Sequence, residues 1–318
     1  MATDGASRPA HDFVLAIDFG GTKIAVGTAA LDGSPILSER IDTEAANGAL
    51  QAVERALELA RVLESRTAEQ AGGRCVAVGA VSPGIVCEDG VVLAPNVPGW
   101  GELELPSLLR DAIGTSAVAV GNDVNAAALA EARWGALAGA DPGLLISLGT
   151  GIKAGIVIRG RVFTGANGAA GEIGYSLRDP ADAISFAHGH APLEEFVGGR
   201  AIGERAGRAL GIELTAADAF SRGDLPAGFI EETLSELSLH VVNLAIALDP
   251  ARIAVGGGLM AHGDAILPVV RARVAEAVPF APEVVPAEFL HDGALRGAAA
   301  LALELAAPEI AKMSRAAS

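Results

Sequence analysis

The sequence predicts an α/β protein built from two similar lobes, and three observations carry that prediction. Apolar runs of strand length alternate with helical patterns along the chain. One design, an apolar strand, a glycine-threonine turn, a lysine and a second apolar strand, occurs in "FVLAIDFGGTKIAVG" and again in "GLLISLGTGIKAGIVI". At 318 residues the chain has room for two domains of ordinary size. The duplication places one lobe at residues 1–121 with 295–318 and the other at 122–294, with the cleft between lobes as the expected ligand site.

Each element follows from its local pattern. Residues 13–17 form a buried strand ending in Asp18; Gly20 and Gly21 reverse the chain, and residues 24–27 leave as a second strand. Residues 47–70 carry Leu50, Val53, Leu57, Ala60 and Leu63 at helical spacing. "CVAVGAV" reads as a buried strand, and "SPGIVCEDGVVLAPNVPGW" as an irregular segment rich in turn formers that faces a ligand. A short helix over 106–113 leads to the strand "AVAVG", after which Asn122 and Asp123 open an alanine-rich helix running to Ala138. The second strand-turn-strand unit follows. Residues 193–248 are mainly helical with a break at Ser221, Arg222 and Gly223. "RIAVGGGLM" is a strand running into glycines; a helix, the strand "EVVPAEF" and a closing helix over 294–305 complete the chain.

Composition narrows the function classes. The chain is 51% hydrophobic but 4% aromatic, so its apolar character comes from small side chains packed in layers, and no run of 18 strongly apolar residues occurs. The first ten residues have neither a signal peptide's nor a transit peptide's pattern, and a short tail on a cytoplasmic protein is expected. A net charge of −16 opposes nonspecific attraction to nucleic acid or anionic membrane, so any anionic ligand needs a built local site. Cys75 and Cys87 are too few for a disulfide framework or a metal knuckle and read as buried small residues. Lysine stands only at 23, 153 and 312, and two of these fall in or beside glycine turns.

The first turn has the chemistry of a phosphate cradle: backbone N–H groups at close-packed glycines, the Thr22 hydroxyl and the Lys23 ammonium, with Asp18 facing the same space. By itself it fits an ordinary hairpin turn as well. The same holds for Asn122 and Asp123, which suit a helix N-cap.

With "DFGGTK", "PGIV…APNVPGW", "NDVNAAALAE", "GTGIKAG", "GANGAAGEIGY" and "VGGG" in that order, the chain resembles the ROK family of sugar kinases and repressors over residues 13–305. The resemblance implies a two-lobed, actin-like, hexokinase-type (ribonuclease H-like) fold, with a sugar and ATP meeting in the interlobe cleft, and a homodimer. It also implies roles. Asp123 is the catalytic base beside the sugar's 6-hydroxyl, kept ionised by the helix N-terminus and taking the proton late in phosphoryl transfer. Gly84, Asn122, Asp123, Glu172, Tyr175 and Glu194 bind the sugar. Gly20, Gly21, Thr22 and Lys23 meet the terminal phosphate from one lobe, and Gly149, Thr150 and Gly151 from the other. Gly256, Gly257 and Gly258 admit the adenosine, and Asp18 holds magnesium through water.

Two departures from the family pattern stand out. The family's "GEIGH" and its following cysteine cluster bind structural zinc; here Tyr175 replaces the histidine, no cysteine follows, and His188 and His190 make a poor tetrahedral site, so no zinc is expected. Packing of Ile184, Phe186, Leu193 and Phe196 is expected to brace the segment instead, with Tyr175 near the ring hydroxyls. Lys153 replaces a glycine and reads either as a strand residue pointing to solvent or as a cation aimed at phosphates. Phosphorylation of a hexose or amino-hexose at the 6-hydroxyl, with ATP and Mg2+, is the expected activity. A sugar-responsive regulator and a non-catalytic sugar-binding protein are the alternatives. Twelve residues before the first strand are too few for a helix-turn-helix module. Glu172, Glu194 and Glu195 suggest an acidic pocket suited to an ammonium-bearing sugar. Together with the GC-rich, actinobacterial bias of the composition, this points to kanosamine, the 3-amino analogue of glucose, and to antibiotic biosynthesis.

Overall fold

The computed structural model describes residues 11–87, 90–92, 98–179 and 185–316. It divides into two compact units, Met1–Ala126 with Ala294–Ser318, and Ala127–Gly293. The division falls just after Ala126, inside the alanine-rich helix, where the sequence pattern sets it before Asn122.

The first unit begins with the antiparallel strands β1 (His11–Phe19), β2 (Lys23–Ala30) and β3 (Pro35–Asp42). Helix α1 (Ala49–Ala71) follows and stops where Gly72 takes the left-handed conformation that ends helices. It leads into β4 (Gly72–Ser82), which lies parallel to β1. A small hairpin, β5 (Ile85–Cys87) and β6 (Gly90–Val92), leads by way of α2 (Leu105–Ile113) to β7 (Val118–Asn122), parallel to β4, and then to α3 (Asp123–Trp134). The sheet order is β3-β2-β1-β4-β7.

The second unit repeats this plan. Strands β8 (Gly143–Leu148), β9 (Ile152–Ile158) and β10 (Arg161–Val162) are antiparallel. Helices α4 (Glu194–Val197), α5 (Gly199–Leu210), α6 (Ala216–Ser221) and α7 (Phe229–Leu248) precede β11 (Arg252–Gly256); α8 (Gly263–Ala277) and β12 (Glu283–Pro286) follow. The order is β10-β9-β8-β11-β12, the same antiparallel-then-parallel arrangement as in the first unit. The last helix, α9 (Gly293–Ala316), belongs almost wholly to the first unit and runs well past residue 305, where the sequence pattern places its end.

The core of the first unit joins Leu15, Ile17, Val78 and Ala80 to Ala56, Leu57, Ala60 and Leu63 of α1. Leu50, counted by its spacing among the buried residues, is 51% exposed. On the opposite face of β4 the sheet meets α9 through absent side chains. A Cβ at Gly79 would run into the Ala298 carbonyl, and one at Gly121 would lie 2.7 Å from Leu301. Gly79 lets helix backbone rest on sheet backbone, and Gly121 makes room for the Leu301 side chain.

Three further expectations need correction. Strand β3, absent from the sequence pattern, is an edge strand whose side chains are mostly exposed, so no apolar alternation marks it. Helix α3 ends at Trp134, because the buried Glu131 carboxylate accepts the Ala136 N–H at 2.7 Å and draws the chain out of the helix. Cys75 is half-buried rather than buried, and burial pushes its thiol up to about 12. Pro95, Asn96 and Val97 of the quoted motif, and the thiol of Cys87, lie outside the described residues.

Replacing Gly79 by alanine is expected to destabilise the protein by about 3 kcal/mol, because the new methyl group displaces α9 from the sheet. Urea denaturation of the variant against the parent measures this.

Candidate functional site

The first unit gathers its candidate residues at the ends of β1 and β7. Asp18 is the penultimate residue of β1, which ends at Phe19 rather than at Asp18 itself, and β2 begins at Lys23. Across the sheet Asp18 is in register with Ala25 of β2, and Ala25 with Arg40 of β3, so a small residue separates the two charges. Burial, and next the Asp123 carboxylate, push Asp18 up to about 7 against a lowering pull from Arg40.

Asn122 ends β7 and is 4% exposed. Its Oδ1 accepts the N–H groups of Val124 at 3.0 Å and Asn125 at 3.1 Å, which caps α3; its Nδ2 donates to the Gly84 carbonyl at 2.7 Å. Gly84 has φ +91, a conformation that favours glycine. Asn122 thus fixes both its neighbour Asp123 and the Gly84 turn. Asp123 opens the helix with Oδ1 accepting the Val124 N–H at 2.8 Å. The Gly84 segment has a second anchor that the sequence did not reveal: Trp100 donates from Nε1 to Ser82 Oγ at 2.6 Å and packs its ring on Phe19.

Gly20 belongs to the turn for a packing reason, since a Cβ there would lie 2.5 Å from the Lys23 carbonyl. Thr43, also missed, pins the turn by donating from its hydroxyl to the Gly20 carbonyl at 2.6 Å and from its N–H to the Thr22 carbonyl at 2.8 Å. Thr22 and Lys23 are exposed.

In the second unit the Gly149-Thr150-Gly151 turn joins β8 to β9. The Gly149 N–H donates to the Gly151 carbonyl at 3.0 Å, and the Gly149 and Thr150 carbonyls accept the N–H groups of Gly199 and Arg200, each at 3.0 Å. Gly151 has a reason other than phosphate approach: a Cβ there would strike the Glu194 carboxylate, which accepts the Ile152 N–H at 3.2 Å. Gly149, by contrast, has open space where a side chain would lie. The three-glycine run divides likewise. Gly257 has φ +90 and abuts the Leu148 carbonyl, and Gly256 faces Ala287 at 3.1 Å, whereas Gly258 is open.

Lys153 corrects one of its two sequence readings: it is 9% exposed and pairs with Glu172, so it does not point to solvent. Glu172 ends in that pair. Glu195 is bound by His190 Nδ1 and the Ala191 N–H, each at 3.0 Å. Only Glu194 of the three carboxylates resembles the acidic group expected; burial raises its proton affinity, with the Ile152 N–H and Arg200 opposing and Glu172 and Glu195 adding to the rise. Tyr175 closes the 3-10 turn Ile173–Tyr175, its phenol raised by burial and by Glu172 and Glu194, and meets the Phe186 ring edge-on at 5.4 Å.

The segment after Tyr175 is braced differently from expectation. Leu193 is fully buried, but Phe186 is 58% exposed, and Ile184 lies outside the described residues. Phe196 is clamped between two guanidinium groups, Arg178 at 3.5 Å and Arg205 at 3.6 Å from its ring centre. Arg205 also donates to the Phe196 carbonyl at 2.9 Å, and Arg178 lies 3.2 Å from Glu236.

Among the described residues no group of three or more His, Cys, Asp or Glu is placed to hold a metal, so the donors do not fit a closed zinc site. Magnesium has lower demands: one or two carboxylates, with phosphate oxygens and water completing the shell. The crowded Asp18 and Asp123 carboxylates fit that requirement.

A family model described as "ROK family" matches residues 14–305. The chain is 31% identical over 304 residues to the kanosamine kinase of Amycolatopsis mediterranei, covering 93% of this chain and 98% of that one. Among solved structures it is similar to a ROK hexokinase from Thermus thermophilus, with TM-score 0.76, 30% identity and 91% and 97% of the two chains covered. It is also similar to a ROK family glucokinase from Streptomyces griseus in complex with glucose and AMPPNP, with TM-score 0.70, 26% identity and 92% and 99% covered. The two mixed sheets are thus those of the actin-like, hexokinase-type fold. Among the described residues no helix is long and apolar enough to cross a membrane.

Asp18 generates a pH prediction. Its carboxyl ionises near 3.8 in the unfolded chain and near 7 in the folded one. Between those values the unfolded state holds fewer protons, so stability declines as pH rises through that window. The Asp18→Asn variant should equal the parent at about pH 4 and exceed it by on the order of 4 kcal/mol at about pH 8, as read by denaturant unfolding at both pH values.

Proposed function

Because the chain belongs to the ROK family, we propose that it is a sugar kinase, transferring the terminal phosphate of ATP to the 6-hydroxyl of a hexose or amino-hexose, glucose or an amino-glucose such as kanosamine. The observation that carries this reading is Asp123 on the first turn of α3, set there by the Asn122 cap, with the Asp18 carboxylate near enough to feel its charge. The names of the kanosamine kinase and of the glucokinase with glucose and AMPPNP support the sugar and nucleotide classes.

In this reading Asp123 accepts the proton of the 6-hydroxyl as the new oxygen–phosphorus bond forms and the bond to the leaving ADP breaks. Asn122 and the Gly84 carbonyl present fixed polar groups to ring hydroxyls, with Glu172, Tyr175 and Glu194 doing so from the second unit. Gly20, Gly21, Thr22 and Lys23, and Gly149, Thr150 and Gly151, hold the phosphate chain; Gly256, Gly257 and Gly258 make room for the nucleoside. Asp18 would hold Mg2+, through water, and the chemistry the ion would supply when bound with ATP is neutralisation of phosphate charge. Positioning and charge stabilisation do most of the work in such transfers, which suits a site whose side chains are held by backbone groups.

A coupled assay with ATP and Mg2+ against glucose, mannose, fructose, glucosamine, kanosamine and the N-acetyl sugars tests the proposal. The Asp123→Asn variant should lose about 10^2- to 10^4-fold in kcat while its sugar affinity changes less than about threefold. Near-normal turnover in that variant removes Asp123 from the role. Gly149 supplies a cleaner test of the second turn than Gly151, because the protein itself has room for a methyl group there. Gly149→Ala should leave the melting temperature nearly unchanged and weaken AMPPNP binding about tenfold by calorimetry; unchanged binding assigns the turn another purpose.

A further inference from the structure

Lys153 is a charge to which the kinase reading above gives no role. It sits on β9 opposite Ser147 of β8, between the buried residues Ile152 and Ala154. Its side chain is 11% exposed and that of its partner Glu172 is 20% exposed, so both groups have given up most of their hydration to form one ion pair. An ammonium is retained in such a place only where a partner compensates for the lost water. The pair also lies among the residues proposed to meet the sugar: Glu194 is held on the adjacent Ile152 N–H, and Glu172 and Glu194 both act on Tyr175.

The charges then add up differently from the sequence. Lys153 offsets Glu172, Arg200 acts on Glu194, and Glu195 is taken by His190. Resting on the kinase reading above, in which Glu172 meets the sugar, we propose that Lys153 is a specificity-determining residue. Its ammonium, locked on Glu172, selects a hexose that is uncharged where it meets that carboxylate and disfavours one carrying an ammonium there.

The chemistry follows from the two groups. A hydroxyl both donates and accepts, so it can donate to the Glu172 carboxylate and accept from the Lys153 ammonium, which has three N–H donors. A sugar ammonium only donates. It meets a carboxylate whose charge is already compensated and a fixed like charge a few ångströms further on, and like charges in a partly buried site repel strongly.

The test is calorimetric binding of glucose, glucosamine and kanosamine, in mildly acidic buffer where the sugar amines carry a proton, to the parent and to Lys153→Met, with the coupled assay run in parallel. The parent should prefer glucose to both amino sugars. Lys153→Met should cut that preference by about tenfold or more while the KM for ATP stays within about twofold. Lys153→Arg, which keeps the charge, should retain the preference, and Lys153→Gln replaces the methionine variant if that one does not fold. A parent that prefers an amino sugar, a parent that binds none of the three, or a folded neutral variant with the parent's ranking overturns the inference. If the ranking shifts as expected but no sugar is phosphorylated, the kinase reading falls and the selectivity stands. If Asp123→Asn abolishes turnover but the ranking does not move, the reverse holds.

Discussion

The Asn122 amide serves three backbone groups at once, two N–H groups of α3 and the carbonyl of Gly84, while almost fully shielded from water. An unsatisfied group in that position would be costly, so the amide ties a strand end, a helix start and a left-handed turn into one rigid piece. Asp123 is held in place by this piece. Its neighbour Asp18 comes from a different strand, and the sheet register alone brings the two carboxylates within electrical reach. The structure accepts the resulting repulsion because both strands are locked by ladders that the charges cannot slide.

The second unit handles charge differently. Nearly every ionised group near its glycine turn is already engaged: Glu194 by a backbone N–H, Glu172 by Lys153, Glu195 by His190, and Arg178 and Arg205 by an aromatic face. Such a region recognises neutral polar groups by donor and acceptor pattern more readily than it recognises net charge. The described part of the segment after Tyr175 is braced by the same contacts, with Phe196 held by Arg178 and Arg205.

The fold is legible in the sequence because its main strands are apolar runs cut by glycine turns, and because the pattern occurs twice. Asp18, Asn122 and Asp123 stand out for the same reason, an acid or amide at the end of such a run. Thr43, Trp100 and Glu131 do not, since each acts on residues distant in sequence and has an ordinary neighbourhood. Lys153 is misjudged by residue type: lysine is mostly an exposed residue, but β9 is buried from Ile152 through Val157, and only Ile158 reaches the surface. Glycines are the least informative letters. Gly20, Gly151 and Gly257 are required by the protein's own atoms, Gly149 and Gly258 are not, and the sequence writes them identically.

Helix α9 completes a sheet whose strands were all made long before it. During synthesis the second unit, continuous from Ala127 to Gly293, has every strand it needs before α9 leaves the ribosome. The first unit must wait with a glycine-floored groove along Gly27, Gly79 and Gly121 still uncovered. The order of assembly is therefore inverted relative to the order of translation, with the amino-terminal unit finished last. Until then the α9-facing side of its sheet lacks the helix that covers it in the finished protein.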